Sequence, residues 1–561
     1  MEDANVRKAA LKNAIEHEGK ASDSAVFSRL AGTDKSILSD VKESKKTISR
    51  IVSEVNALSI ERQQAEATLL GLDTEKKKFV KEAGLKDLPN VKGEVVLRLP
   101  PEPSGFMHLG HAIAGMINYL YKEKYGGKLW LRFEDTNPNK VEKRFADSFR
   151  EGYKWLGITW DEEKFISSDM TRMYEIGEKM INENLAYVCT CSLEKIKSGR
   201  LNGEECEHRG HTVEENRHMW NFVINGEMKP GEAVIRFKGN MKDKDFSLRD
   251  PNLFRIIKTD YKSYSLWPIY DFASVVEDDM CGITHVLRSN EFKVSFQDKL
   301  RDVLGLKKLN IVQFSRFNFT GTPFSKRKLR ELIEKGQISG WDDIRLPTVS
   351  SIRRRGITPE AIKQFALTVG YSESKHEYEW DTLLTPNRRI IDDKSKRFFF
   401  VSNPQSLTVN GAGEKEAKIP SHPSVDLGFR VVRTDGNFII DGKDAAVLKK
   451  GDLLRLKDLY TVRINDPGKE GIRADFVSDK MIGGERIVQW VTKDNLPVKI
   501  LVVGNLLNED GSFNENSLMT VSGIAEGGIT TLKEGETIQF ERFGFCILDN
   551  KDTETFVYIS R

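Results

Sequence analysis

One segment constrains this chain more than any other. Residues 95–121 read as a buried strand, a Pro/Gly-rich loop and a helix in immediate succession. Val95-Val96-Leu97-Arg98-Leu99 is a short apolar run bounded by Gly93 and Pro100-Pro101, the pattern of a strand covered on both faces. The loop PPEPSGFMHLG follows, and a helix is expected over residues 111–121. A second strand is expected over residues 128–133, ending in a polar turn at residues 134–137. Helices are expected over residues 142–156 and 170–185. Strands alternating with helices imply a parallel α/β sheet, here starting near Val91.

The loop carries chemistry. Pro103-Ser104-Gly105-Phe106-Met107-His108-Leu109-Gly110-His111 puts two imidazoles around a glycine where a helix begins. Free backbone N–H groups and the helix dipole favour a phosphate there. The imidazoles add directed donors, and Gly110 lets a flat group approach the backbone. More than two hundred residues downstream, Pro323-Phe324-Ser325-Lys326-Arg327-Lys328 sets three cations beside a serine. Alone it reads as a solvated basic turn; with the histidine loop it suggests one nucleotide site closed by a lysine loop. No G-x-x-x-x-G-K-[ST] motif occurs, and Gly411-Ala412-Gly413 lacks the third glycine of a dinucleotide fingerprint. A P-loop ATPase or a nicotinamide enzyme is therefore poorly supported.

PPEPSGFMHLGHA resembles the HIGH element of class I aminoacyl-tRNA synthetases, and FSKRK resembles their KMSKS element. VVLRLPPEPSGFMHLGHA, LRFEDTNP, PIYDFAS and HVLRSNEF, in that order, resemble the glutamyl/glutaminyl branch. A helical N-terminal extension and a β-rich C-terminal half resemble its archaeal and eukaryotic glutamyl type. The resemblance implies a Rossmann-like catalytic domain and an ATP-dependent enzyme that joins L-glutamate to tRNA(Glu) through a glutamyl-adenylate, with Mg²⁺ on the phosphates and tRNA present for activation. By that resemblance His108, His111 and Lys326 are catalytic. Ser104, Gly105, Gly110, Ser325 and Arg327 join them in holding ATP, and Arg98, Glu102, Glu134, Tyr270, Ser274 and Arg288 hold glutamate. Asp135 reads as a turn residue. Arg288 is the expected discriminator, because a buried γ-carboxylate needs a cation and a guanidinium supplies a matching fork. Two alternatives stay open: an enzyme that also glutamylates tRNA(Gln), and a non-catalytic tRNA-binding protein of the same fold.

Cys189-x-Cys191 and Cys206-x-His208 bring four ligands of the types zinc prefers into a short stretch, with His211 as a spare. Free thiols in a small insertion are the other reading, and C-x-C is tighter than the usual knuckle. Some glutamyl enzymes of the resembled branch carry such a zinc site. Cys281 and Cys546 read as buried apolar fillers.

The 561 residues suggest three to four domains. Residues 1–90 read as a helical extension, with Ile48, Ile51, Val52, Val55 and Leu58 at helical spacing and a basic run at Lys76–Lys78. Residues 91–305 read as the catalytic domain, with an acceptor-stem-binding insertion at about 187–262. The α/β pattern resumes over residues 266–274 and 283–288. Residues 306–390 form a helical connector bearing the lysine loop. Short strands separated by Asp435-Gly436, Asp441-Gly442 and Asp510-Gly511 mark residues 391–561 as two anticodon-binding β-barrels. Net charge is 87 − 84 = +3, too small to name a partner, so RNA contact falls to local clusters. These are Arg353–Arg355, Arg388-Arg389, and Lys394–Arg397 beside Phe398-Phe399-Phe400. No run of about 18 apolar residues occurs and the start lacks a secretory core, so a cytoplasmic protein with no membrane partner is expected; it is further expected to be a monomer.

Overall fold

The computed structural model describes residues 3–16, 19–23, 26, 27, 30, 41–70, 85–370, 376–468 and 471–561. The basic run at Lys76–Lys78 lies outside them. The chain forms two units, Met1–Ala83 and Gly84–Arg561.

In the first unit, helices Asp3–Glu16, Val41–Asn56 and Ile60–Leu69 enclose a small core. Ile48, Ile51, Val52 and Val55 recur at i, i+3, i+4 and i+7, so one stripe of the middle helix is buried against Val6, Ala10 and Leu11. Gln63 is buried with them, its amide donating to the carbonyls of Val55 (2.8 Å) and Gly19 (3.0 Å).

The second unit opens on a parallel sheet. Strands β1 (Val96–Leu99), β2 (Lys128–Phe133) and β3 (Glu162–Phe165) lie in that order. Strands β4 (His285–Ser289) and β5 (Asn310–Phe314) form a second parallel ladder. It sits beside β1, tied by the Thr284 N–H to the Val96 carbonyl at 3.0 Å. The order β3-β2-β1-β4-β5 reverses direction at β1/β4, and the crevice outside the strand ends at such a switch point is where doubly wound sheets bind ligands. The helix Leu109–Tyr125 follows β1 and buries Leu109, Ala112, Ile113, Met116, Ile117 and Leu120 against the sheet.

Between β3 and β4 lies an antiparallel sheet of Ala186–Cys189, Val234–Phe237, Asn252–Ile256 and Leu266–Pro268. Residues 266–268 therefore belong to this insertion, not to the parallel sheet. The edge of Asn252–Ile256 takes them because they return directly alongside it, and the helix Tyr270–Met280 then leads back.

Two barrels end the chain. Lys396–Phe398 pairs with Thr537–Phe540, while Phe400–Val401, two residues on, pairs with Leu518–Glu526. One short segment thus seals both edges of a seven-stranded sheet. The six-stranded sheet of residues 404–488 closes where Ile439 and Val491 exchange backbone hydrogen bonds of 2.8 and 3.0 Å. In the chain it is inserted between strands of the seven-stranded barrel, whose remaining strands come from residues 495–560. Closure protects the edges of these two sheets, while Lys415–Pro420 and Phe429–Thr434 form a separate two-stranded ribbon. Asp441-Gly442 is not a hairpin turn: the Asp441 carboxylate caps a short helix, Gly442–Ala445, accepting from the Lys443 N–H at 2.9 Å.

Candidate active site

The cleft at the end of β1 has a volume of about 510 Å³ and is walled by Arg98, Glu102, His108, Gly110, His111, Glu134, Tyr270, Arg288 and Lys326. The helix begins at Leu109, two residues earlier than its sequence suggests, because His108 itself is the N-cap. The His108 Nδ1 accepts from the His111 N–H (3.4 Å), and the His111 Nδ1 accepts from the His108 N–H (3.3 Å). This is a capping box built from two imidazoles, whose rings stack with centroids 3.6 Å apart. It fixes their tautomers. With both Nδ1 atoms accepting, each neutral ring keeps its proton on Nε2. Burial, then the nearby Lys326 and Arg316 charges, push His108 down to about 3. Burial and His108 hold His111 well below its usual value. Both are neutral donors at physiological pH.

The loop is clamped from behind. The Leu109 N–H donates to the Pro347 carbonyl (2.8 Å), and the Val349 N–H to the Met107 carbonyl (2.9 Å). Lys326 starts the helix Lys326–Glu334, which Ser325 caps. Its ammonium donates to the Ser104 hydroxyl at 2.7 Å and lies 3.8 Å from the Glu102 carboxylate. A Cβ on Gly105 would stand 2.9 Å from Lys326 Cε, so only glycine leaves the lysine this path. Arg327 is exposed and does not line the cleft.

The far end of the cleft is a pocket of buried charges. Arg98 donates through Nε to Asp278 at 2.7 Å, leaving Nη2 buried without a partner. Arg132 donates to Asp278 (2.9 Å) and to Glu134 Oε1 (2.8 and 3.1 Å), and Glu134 Oε2 has no partner. Arg301 adds a third bond to Asp278 at 3.1 Å. Burial pushes the Asp278 carboxyl up, but the three guanidinium groups outweigh it and hold it below the usual range. Burial raises Glu134 despite Arg132. Arg288 is 6% exposed, bonded through Nη1 to Gln297 (2.9 Å) and through Nη2 to the Lys293 carbonyl (3.4 Å), with Nε unpartnered. The orphaned donors of Arg98 and Arg288 and the orphaned oxygen of Glu134 suit a ligand bearing both carboxylate and ammonium.

Ser274 is not in the pocket wall. It is fully buried, and its hydroxyl accepts from Arg132 at 3.4 Å. Asp135 is more than a turn residue: it accepts from the Ser167 N–H (2.9 Å) and the Tyr261 hydroxyl (3.0 Å), tying the insertion to β2. Sequence reasoning missed Arg132, Asp278, Arg301 and Gln297.

Residues 94–393 match the catalytic domain of the class I tRNA synthetases (E and Q), and residues 395–476 and 487–549 match their anti-codon binding domain. The chain belongs to this family. The glutamate–tRNA ligase of Nitrosopumilus maritimus is 38% identical over 99% of this chain and 98% of its own length. Those of Pyrococcus abyssi and Methanocaldococcus jannaschii are 37% and 34% identical, each over 98% of both chains. Among solved structures, a glutamate-tRNA synthetase from Elizabethkingia anophelis covers 54% of this chain and 72% of its own at 19% identity, with a TM-score of 0.41, too loose a likeness to argue from.

The synthetase insertion gathers Cys189, Cys191, Cys206 and His208 so that their ligand atoms lie within 4.8 Å of one another. The Cys189 and Cys206 sulfurs are 3.8 Å apart, the edge expected for two thiolates about 2.3 Å from a tetrahedral zinc. Cys191 Sγ is 3.3 Å from His208 Nδ1, while His208 Nε2 meets the Thr190 hydroxyl at 2.8 Å. That outer contact leaves Nδ1 free to ligate. Arg236 Nη1 points at the Cys189 and Cys206 sulfurs at 3.9 and 3.8 Å, favouring thiolates. His211 lies outside the cluster. The donor set fits zinc.

Three residues of the basic clusters are held internally, while Arg353, Arg388, Arg389, Lys394 and Lys396 are exposed. Arg354 pairs twice with Asp549 at 2.8 Å, Arg355 is buried against Trp380, and Arg397 is buried against Asp392 and His422. Phe398, Phe399 and Phe400 are barrel core, so they offer no surface for stacking on bases. The strand alternation at residues 396–401 requires this, since that segment closes the barrel. Among the described residues no helix is long and apolar enough to cross a membrane.

Proposed function

We infer that this synthetase activates L-glutamate with ATP and transfers it to tRNA(Glu), the reaction that names its archaeal relatives. One observation carries the choice of amino acid: Arg288 faces the cleft with no carboxylate ion pair among the described residues. A γ-carboxylate meets that charge; a neutral amide leaves the guanidinium uncompensated.

The glutamate α-carboxylate is ionised at neutral pH, so the first step needs no general base. Its oxygen attacks the α-phosphorus of ATP, a P–O bond forms, and pyrophosphate leaves. The chain's own work is to align two anions and meet the charge that builds on the phosphate oxygens. His108 and His111 donate from Nε2, and Lys326 supplies the cation. Ser104 aims Lys326, Gly105 and Gly110 give it and the nucleotide room, and Ser325 caps its helix. Arg98 and Arg288 hold the side chain, and Glu134 and Tyr270 the ammonium and backbone. Glu102 stands at the mouth beside Lys326. Bound with ATP, Mg²⁺ would supply charge neutralisation on the phosphates. The terminal adenosine of tRNA then displaces AMP, its 2′-hydroxyl being the first acceptor in this branch. Cys189, Cys191, Cys206 and His208 hold a structural zinc that braces the insertion. The enzyme works as a cytoplasmic monomer. A non-catalytic role is not favoured, since the histidine and lysine elements meet in one cleft.

Pyrophosphate exchange tests the reading. Exchange is expected with glutamate, ATP and tRNA together and not when tRNA is omitted. Exchange supported by glutamine and not by glutamate would reject it.

A further inference from the structure

Four arginines are buried at the closed end of the cleft, and three are paired with carboxylates. Arg98 and Arg132 bond to Asp278, and Arg301 to Asp278 and Asp298. Among the described residues Arg288 alone has none. What holds it is an amide: Gln297 Oε1 accepts from Arg288 Nη1 at 2.9 Å, and Gln297 is 1% exposed. The amide is itself oriented, because its Nε2 donates to Asp271 Oδ1 at 2.9 Å. Were the amide turned over, two donors would face each other at Arg288 and two acceptors at Asp271. Asp271 thus fixes which end of Gln297 meets the guanidinium, yet stands one side chain away and makes no ion pair with it.

We propose that Gln297 is a positioning residue for substrate choice: it aims Arg288 at the cleft without neutralising it, so that the full charge is left for the γ-carboxylate of glutamate. This rests on the reading of Arg288 as the side-chain contact. A glutamate at 297 has the same length and shape, and one of its oxygens would give Arg288 the internal ion pair its three neighbours already have; the other would face Asp271 where the amide now donates, so Asp271→Asn is paired with it to return a donor there. The substrate carboxylate would then compete with a carboxylate built into the wall. Glutamine, which has no charge to offer, would lose little.

The test compares Gln297→Glu, Arg288→Gln and the double variant, each also made with Asp271→Asn so that the glutamate keeps a donor on its far oxygen, reading kcat/KM for glutamate in tRNA charging and the inhibition constant of glutamine as a competitor. Gln297→Glu is expected to lower glutamate kcat/KM at least thirtyfold, mainly through KM, with glutamine affinity changed less than threefold. Added to Arg288→Gln, it should lower glutamate use by less than threefold further, since no guanidinium remains to neutralise. A loss as large in that background, or a glutamate-to-glutamine preference within threefold of wild type in the single variant, would overturn the proposal. Arg288→Gln leaving the preference unchanged would instead overturn the reading of Arg288 beneath it. If Gln297→Glu fails to fold, Gln297→Met keeps the volume and leaves Arg288 charged but unaimed. It should raise glutamate KM about tenfold with kcat little changed, and a KM within threefold of wild type would equally overturn the proposal.

Discussion

At the scale of single residues, charge and tautomer decide the chemistry. Lys326 is the cation nearest the histidine loop, held in place by Ser104. Lys326→Ala should lower adenylate formation by about 10²–10³, or ~3–4 kcal/mol, while tRNA affinity barely changes. Pyrophosphate exchange near the wild-type rate would show that the charge on the phosphates is met elsewhere. His108 and His111 make a different prediction, one about pH. Because burial lowers both, they stay neutral as the pH falls through 6.5, their ordinary value, and His108 charges only near 3. The rate of adenylate formation should therefore show no limb with a midpoint between pH 6 and 7. Stability should behave oppositely. The unfolded chain binds protons at these histidines below about 6.5 and the native chain does not, so the native state loses stability as pH falls through that window. A profile with an imidazole limb near 6.5 that disappears in His108→Asn would mean that the ring is charged in the working enzyme.

At the scale of elements, the cluster of Cys189, Cys191, Cys206 and His208, proposed above to hold zinc, shows how a small insertion is held. Cys189 ends one strand and Cys191 follows it, while Cys206 caps a short 3₁₀ helix that contains His208, segments with little core beyond Tyr187 and Ile196. Cys206→Ser should reduce zinc from one equivalent per chain to less than about a tenth and loosen the insertion selectively, since metal binding supplies folding free energy to small sites. Unchanged zinc content would exclude the cluster. What could be read in the sequence follows from locality. The histidine loop, the lysine loop and the C-x-C…C-x-H set are each contiguous or nearly so, and their elements obey simple periodicity. Arg98, Glu134, Tyr270 and Arg288 could be found because each sits in a distinctive string. Asp278 could not: it meets Arg98 and Arg132 across 180 and 146 residues, and an acidic pair at the end of a helix reads as solvated. Gln297 gave no signal either, as its meaning lies in what it is not. The aromatic run at Phe398 misled, because three consecutive aromatics look like a stacking platform until strand pairing shows that both faces of that segment are enclosed.

At the scale of the whole second unit, the seven-stranded barrel reaches the lysine loop directly. The loop between Asn495–Val503 and Leu518–Glu526 places Leu506, 1% exposed, in a small core with Leu329, Leu332, Ile338 and Leu346. Leu329 and Leu332 are on the helix that Lys326 begins, on its buried face. The Leu507 N–H donates to the Gly321 carbonyl at 3.0 Å. Gly321 has φ +64°, and a Cβ there would stand 2.5 Å from Asn505 Cβ. Barrel backbone and lysine-loop backbone are thus in contact where no side chain fits between them, and the lysine is positioned partly from a domain that does no chemistry. Leu506→Ala should remove about 2–5 kcal/mol of packing at this junction. Most of that loss falls on the docking of the lysine helix, because the barrel keeps its own separate core around Phe540 and Phe556. Adenylate formation should then fall by about an order of magnitude, ~1.4 kcal/mol, as the lysine spends less time over the phosphates. Glutamate KM should stay within about twofold, since Arg98 and Arg288 are fixed by Asp278 and Gln297 on other elements. Measuring kcat and KM separately decides between the two routes. A fall in kcat alone means that the barrel sets the lysine, whereas a rise in KM alone means that the junction acts on the amino-acid pocket and the lysine helix stands without it.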